Sequence, residues 1–318
     1  MNDVALGVAA CSAAGFAVSS SLQHHANADL PDDVGTAAAV RALLRRRRWV
    51  VGQGLALAAF LLHAVALRLG VLVLVQPVVV SGIVVAVPIR AALGRRLPGR
   101  GEVGTVAVTA TGLAIFLIAA DPRSSQPPSS GVAAVVTMVG GALAVAIAWW
   151  AGRRRGVPKA TGYGVACGIL FGLTAGLVKL AAARGAAGHG VAEHLWALTT
   201  AWPAWALVLT GLSGMALNQR AYRAAPLSAS MPLLNVVDVL VAIAFGVAVF
   251  GELPAHGWAA IAGQLLALTL MGWGLRRLAR AEDADEIGDA ARRGRASATE
   301  RRGTTPSPVR VGPTDGEA

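Results

Sequence analysis

The sequence predicts an all-α polytopic membrane protein of about nine transmembrane helices, built as two inverted four-helix repeats joined by a linker helix. Three observations carry this: the length of the apolar runs, the alternation of basic loops, and an internal match between the halves. The chain has 318 residues, 55% of them hydrophobic and 14% charged, with a mean hydropathy of +0.59. That balance excludes a soluble globular enzyme. The apolar residues fall in runs of about twenty, the length a helix needs to cross a hydrocarbon core of roughly 30 Å.

Taken in order, spans are predicted at 4–23, 49–67, 71–92, 103–120, 131–151, 161–182, 195–219, 226–250 and 255–275. The junctions at Arg68–Gly70 and Arg220–Ala225 are short enough to require tight hairpins. The run Asp121–Gly131, with Pro127-Pro128, reads as an extracellular linker, and 281–318 as a disordered cytoplasmic tail without apolar periodicity. The transporter domain is thus 1–280, with repeat one at 4–120, the linker helix at 131–151 and repeat two at 161–276.

A net charge of +11 would suggest nucleic acid if the charges were clustered, but they lie between the apolar runs. Arg41 and Arg45–Arg48 follow span one. Arg90, Arg95, Arg96 and Arg100 follow span three, and Arg153, Arg154, Arg155 and Lys159 follow span five. Arg220 and Arg223 end span seven, and the tail is basic from Arg276 onward. Opposing them are only Arg68, Arg123 and Arg184. Basic loops stay cytoplasmic, so the N-terminus is expected outside and the C-terminus inside the cytoplasmic (inner) membrane. Trp49, Trp149, Trp150 and Trp273 near inner ends, and Trp196 and Trp258 near outer ends, fit the interfacial preference of indole. A cleavable signal peptide is disfavoured because the start carries Asp3 and no basic residue.

Gly7-Val8-Ala9 with Gly15 matches Gly164-Val165-Ala166 with Gly172. Ala66, Arg68 and Pro77 match Ala221, Arg223 and Pro232, and Leu97-Pro98 with Gly101 matches Leu253-Pro254 with Gly257. The offset stays between 155 and 157 residues. Spans one to four then correspond to six to nine, and a displacement of five spans inverts the second copy. Inverted halves of this kind meet around a midplane site in secondary transporters.

With those residues in view, Ala64–Pro77 followed by Leu97-Pro98-Gly99-Arg100-Gly101, and Ala221–Pro232 followed by Phe250-Gly251-Glu252-Leu253-Pro254, resemble the drug/metabolite transporter (EamA-like) superfamily. Ser19-Ser20-Ser21-Leu22-Gln23 and the Asn218–Pro232 region look closest to its NIPA-like magnesium transporter branch. The resemblance covers about residues 4–276 and implies alternating-access transport of a small solute or cation. Magnesium or another divalent cation is one option, and a metabolite or drug exported against protons is the other. One departure is that Arg95-Arg96 stands where the second half has Gly251-Glu252.

Asp238, central in span eight, is the foremost candidate, because a midplane carboxylate is costly unless it pairs, binds a cation or exchanges a proton. It is also the candidate metal ligand. Asn235 shares its helix face at i−3. Pro77 and Pro232 break their helices and free backbone carbonyls, and oxygen ligands of these kinds suit a hard cation. Asn218, Gln219, Gln76 and Gln264 are candidates for the same pathway, or else helix-bridging amides. His63 corresponds to Asn218 in the repeat. Lys179 is expected to snorkel outward, with pairing to Asp238 or an anionic substrate as alternatives. Glu252 is expected at the outer mouth, as a gate or simply solvated. Gln23 and His24 are read as a polar inner end of span one. The His24-His25-x-x-x-Asp29 pattern otherwise suggests an intramembrane enzyme, which the absence of a soluble domain argues against. A nontransporting scaffold holding anionic lipid through the basic loops is the remaining class.

No phosphate loop, nucleophile elbow or metal-spaced Cys/His cluster occurs, so neither enzyme activity nor a cofactor is expected. Cys11 and Cys167, inside apolar runs, read as packing residues, and Gly15, Gly172 and Gly176 as sites of close helix packing. The expected partners are the bilayer and the cargo, without nucleic acid; a homodimer is left open.

Overall fold

A computed structural model describes residues 2–28, 44–82, 99–122, 127–185, 200–225, 227–278 and 280. Among these residues the chain is helical, without a β-strand ladder. The helices are α1 (Asn2–Ala28), α2 (Arg47–Leu69), α3 (Leu72–Val80), α4 (Arg100–Ala120), α5 (Ser130–Gly152), α6 (Gly156–Gly185), α7 (Trp202–Ala224), α8 (Leu227–Phe250) and α9 (Trp258–Leu278). Six of them, α2, α4, α5, α6, α8 and α9, are long and apolar enough to cross a membrane. α1 has a shorter apolar stretch, Asp3–Ser19. The chain is a membrane-embedded helical protein.

Several expected boundaries move: α1 runs on to Ala28 and α7 starts only at Trp202. The junction placed at Arg220–Ala225 belongs instead to α7, which runs to Ala224 because nothing between Leu217 and Ala224 breaks a helix. The break comes only before Pro226, whose ring disfavours helical backbone in the preceding residue. At the other end α6 starts five residues earlier than expected, at Gly156, with Pro158 tolerated in its first turn. The C-terminal tail, Arg90, Arg95, Arg96 and Leu97-Pro98 lie outside the described residues.

α6 is the centre of the bundle. Of its apolar window 78% is buried inside the protein, against 11% for α5, which runs along the periphery. α5 turns Val135, Met138, Val139, Leu143, Val145 and Trp149 outward, an apolar surface too continuous for water and suited to lipid. α6 contacts α7, α8 and α5, while α1 contacts α2 and α3, and α3 bridges to α8. α9 packs on α4, where a Cβ on Gly112 would stand 3.0 Å from Ala267 O.

Without a hydrophobic drive between helices in lipid, close approach rests on small residues. Gly164, Gly168, Gly172 and Gly176 recur every fourth position, which places them on one face of α6. That face meets α8: a Cβ on Gly164 would lie 2.9 Å from Ser230 O, one on Gly172 2.7 Å from Asp238 O, and one on Gly176 would strike the Phe245 ring. The packing role expected for Gly172 and Gly176 is therefore what the backbone requires. In α1, Gly15 does the same, 3.0 Å from Ala59 Cβ.

Gln264 is a structural tie. Its Nε2 donates to Ala119 O at 3.0 Å and to Ala255 O at 2.9 Å, fastening α9 to the end of α4 and to the loop that precedes α9. Gln264→Leu is expected to leave both carbonyls unanswered at about 1–3 kcal/mol each. Thermal unfolding in detergent, followed by tryptophan fluorescence, should show a lowered midpoint with ligand response unchanged.

Candidate functional site

Among the described residues, two clusters of buried polar groups include an ionisable side chain from α8 or the turn after it. The first is formed where α3 meets α8. Leu227–Phe250 is apolar on most sides, and Asp238 lies midway along it, 6% exposed. α3 enters beside it carrying Gln76, 4% exposed and immediately before Pro77. Gln76 Nε2 donates to Asp238 Oδ1 at 2.9 Å, joining two residues 162 positions apart. Gln76 Oε1 is buried without a hydrogen-bond partner, as is Ser230 Oγ two turns before Asp238. Pro232 sits between them inside an uninterrupted α8, so the helix break expected there does not occur. Pro77 likewise lies inside α3. The result is a buried carboxylate bonded to one amide, with the unanswered oxygen of that amide beside it in an apolar surround.

The remaining expected pathway residues divide. Asn235 is half-buried and donates within its own helix to Met231 O at 2.9 Å. His63, 7% exposed, has Nδ1 buried without a partner, and Asn218 has Oδ1 in the same condition. These two positions, 155 apart, therefore share an unanswered polar atom. Gln219 is exposed on α7 and is not part of an interior cavity; the helix turn that buries part of Asn218 points its neighbour outward. Gln264 belongs to the α4–α9 contact, away from Asp238. Gln23 and His24 fall in the last turns of α1, with side chains outside the described set.

The second cluster corrects two expectations. Glu252 is neither solvated nor at an open mouth: it is fully buried, at 0% exposure. Gly251 takes φ +64°, a left-handed conformation glycine adopts freely, and turns the chain so that the next side chain points back into the bundle. Lys179 does not snorkel, and its partner is not Asp238. It is 8% exposed and forms an ion pair with Glu252, while also donating to Gly70 O at 2.6 Å. The other carboxylate oxygen, Glu252 Oε2, accepts from Leu72 N at 2.7 Å. The Lys179 ammonium also lies 5.0 Å from the centre of the Phe250 ring. A buried ammonium and carboxylate are tolerable only with all these partners in place.

Among the described residues no basic side chain pairs with Asp238, and no group of three or more His, Cys, Asp or Glu is placed to hold a metal ion. Asp238 as a metal ligand would therefore rest on the amide oxygen beside it.

Two backbone contacts complete the geometry. Ser12 Oγ donates to Ala59 O at 2.8 Å, linking α1 to α2. Cys167 Sγ donates to Gly214 O at 3.1 Å, linking α6 to α7. Each partner of the second bond lies 155 positions after its counterpart in the first.

No family model matches the chain, and no solved structure matches it. Over 206 residues it is 30% identical to a protein of Corynebacterium glutamicum described as an uncharacterized protein, a stretch that covers 64% of this chain and 69% of that relative. An aligned stretch of that length spans most of the helical bundle, and the chain belongs to the family of that corynebacterial protein.

Proposed function

We propose that the chain is a secondary transporter of the drug/metabolite type, moving a small solute or cation across the cytoplasmic membrane by alternating access. The observation that carries this reading is Asp238, held midway along α8 by Gln76 from α3, each helix carrying a proline in its interior. An ionisable group at such depth is expensive, and binding or coupling is its commonest use. In this reading nine spans, with the N-terminus outside and the C-terminus inside, form two inverted halves, 4–120 and 161–276, around the linker helix 131–151. The paired bonds Ser12–Ala59 and Cys167–Gly214, one in each half at a constant offset, support the duplication. So does the packing of α1 on α2 and α3 beside that of α6 on α7 and α8.

For cargo, a single carboxylate favours a proton, a monovalent cation or a solute exchanged against protons. A hydrated divalent cation of the NIPA-like kind is the second reading. Magnesium keeps several waters and is often held by only one or two carboxylates, and the unanswered Gln76 Oε1 offers a further acceptor.

The test is thermal stabilisation of the purified protein in detergent by Mg²⁺, other divalent and monovalent cations, amines and amino acids. A ligand at a hundred times its Kd adds about 2.7 kcal/mol to the folded state. Selective stabilisation that vanishes in Asp238→Asn supports the site and names the cargo class. Stabilisation that survives in Asp238→Asn removes Asp238 from the binding site.

A further inference from the structure

The second polar cluster does more than satisfy two buried charges. α2 ends at Leu69 and α3 begins at Leu72, so the turn between them presents the last carbonyls of one helix beside the first amides of the next. A helix C-terminus carries partial negative charge and an N-terminus partial positive charge. Lys179 from α6 answers the first, at Gly70 O, and Glu252 from the α8–α9 turn answers the second, at Leu72 N. α3 has no side-chain cap of its own, since its N-cap residue is Val71. The cap comes from 180 positions away.

One turn further into α3, on the face of Leu72, stands Gln76 with its bond to Asp238. The clasp therefore covers the Asp238 site from the end where the α2–α3 turn lies. Nothing there is loose: a Cβ on Gly246 would come 2.7 Å from Glu252 Oε2 and 3.3 Å from Leu72 Cβ. In the matching positions of the first half the sequence carries Arg95-Arg96 in place of Gly251-Glu252, so a carboxylate clasp of this kind has no sequence counterpart at the opposite end.

We infer that the Lys179–Glu252 pair, closed over the α2–α3 turn, is a gate that must part for the Asp238 site to be reached from that side. Its purpose rests on the transporter reading; its geometry does not. A buried pair is suited to this, because its polar partners exchange for water when the end opens and re-form when it closes. An apolar seal of equal area has no such exchange.

The test reads access and needs no cargo. In the full chain with Cys11→Ala and Cys167→Ser, the thiol of Gln76→Cys is titrated in right-side-out and inverted membrane vesicles with a membrane-impermeant methanethiosulfonate. N-ethylmaleimide, which crosses the membrane, gives the total. With the pair intact, labelling from the outer side is expected to be slow. Glu252→Gln and Lys179→Met are each expected to raise the outer rate at least tenfold without a matching gain from the inner side. Glu252→Asp, which keeps the charge but cannot reach both Lys179 and Leu72 N, should fall between. Unchanged outer labelling in variants that elute as monodisperse protein would overturn the gate. So would a failure of all three variants to assemble, which would make the pair a fixed staple. Neither result touches the role of Asp238, which the stabilisation screen reads separately.

Discussion

Asp238→Asn is expected to insert and fold normally and to lose coupled transport. Asparagine has the same shape and keeps an oxygen able to accept from Gln76 Nε2, so the α3–α8 contact of 2.9 Å survives. What it removes is the negative charge and the exchangeable proton. Losing a buried charge contact costs about 2–5 kcal/mol, and each 1.4 kcal/mol is about tenfold, so flux should fall by about thirtyfold or more. The measurement is uptake into proteoliposomes of the cargo named by the stabilisation screen, with internal pH followed by a trapped dye. Full flux in Asp238→Asn would take the carboxylate out of the mechanism. Its exposure of 6% would then reflect a structural group satisfied between helices.

The second large effect is expected from Gly172→Val. The stripe of α6 glycines lets the α8 backbone come so close that even one methyl on Gly172 would sit 2.7 Å from both Asp238 O and Val241 Cβ. Neither neighbour can step aside, since one is backbone and the other a β-branched side chain with few rotamers. Overpacking of this kind costs typically about 1–3 kcal/mol and more where the backbone is the obstacle. Valine adds two further carbons, so the variant should be lost to aggregation or show a strongly lowered unfolding midpoint. Gly141→Ala is the control: it lies on peripheral α5, where an added Cβ meets nothing within 4 Å, and should behave as the parent. Equal stability of the two variants would mean that α6 and α8 separate without cost.

Part of this architecture could be read directly from the residues. Charge in a long apolar run stands out, so Asp238 and Gln76 were both visible as candidates, as were the prolines that accompany them. Their meeting was not, because periodicity gives the face of a helix but not the helix across from it. Cys167 shows the same limit, since it looks like a small packing residue until it is found donating to a carbonyl on the next helix. Glu252 was misplaced for a different reason. Sequence position puts it beyond the end of α8, where solvent is the default, and only the left-handed turn at Gly251 sends it inward. Lys179 followed from that error: near a helix end with no visible partner, snorkelling is the cheapest account of a lysine. Gln264 was visible as an amide in an apolar run, but one amide can line a pathway or tie two helices together, and only its two carbonyl partners distinguish these.

The cap on α3 also bears on how the protein is made. Leu72 and Gly70 are synthesised long before Glu252, and roughly five helices separate them along the chain. Gly70 O gains its partner when α6 brings Lys179, but until the α8–α9 turn arrives the first amide of α3 lacks the carboxylate that caps it. The opening helices are therefore an unfinished object at the moment of their insertion, and the residue that completes them is among the last to enter. Assembly of the bundle is ordered by this debt: the early hairpin waits at the membrane for the final turn to close it.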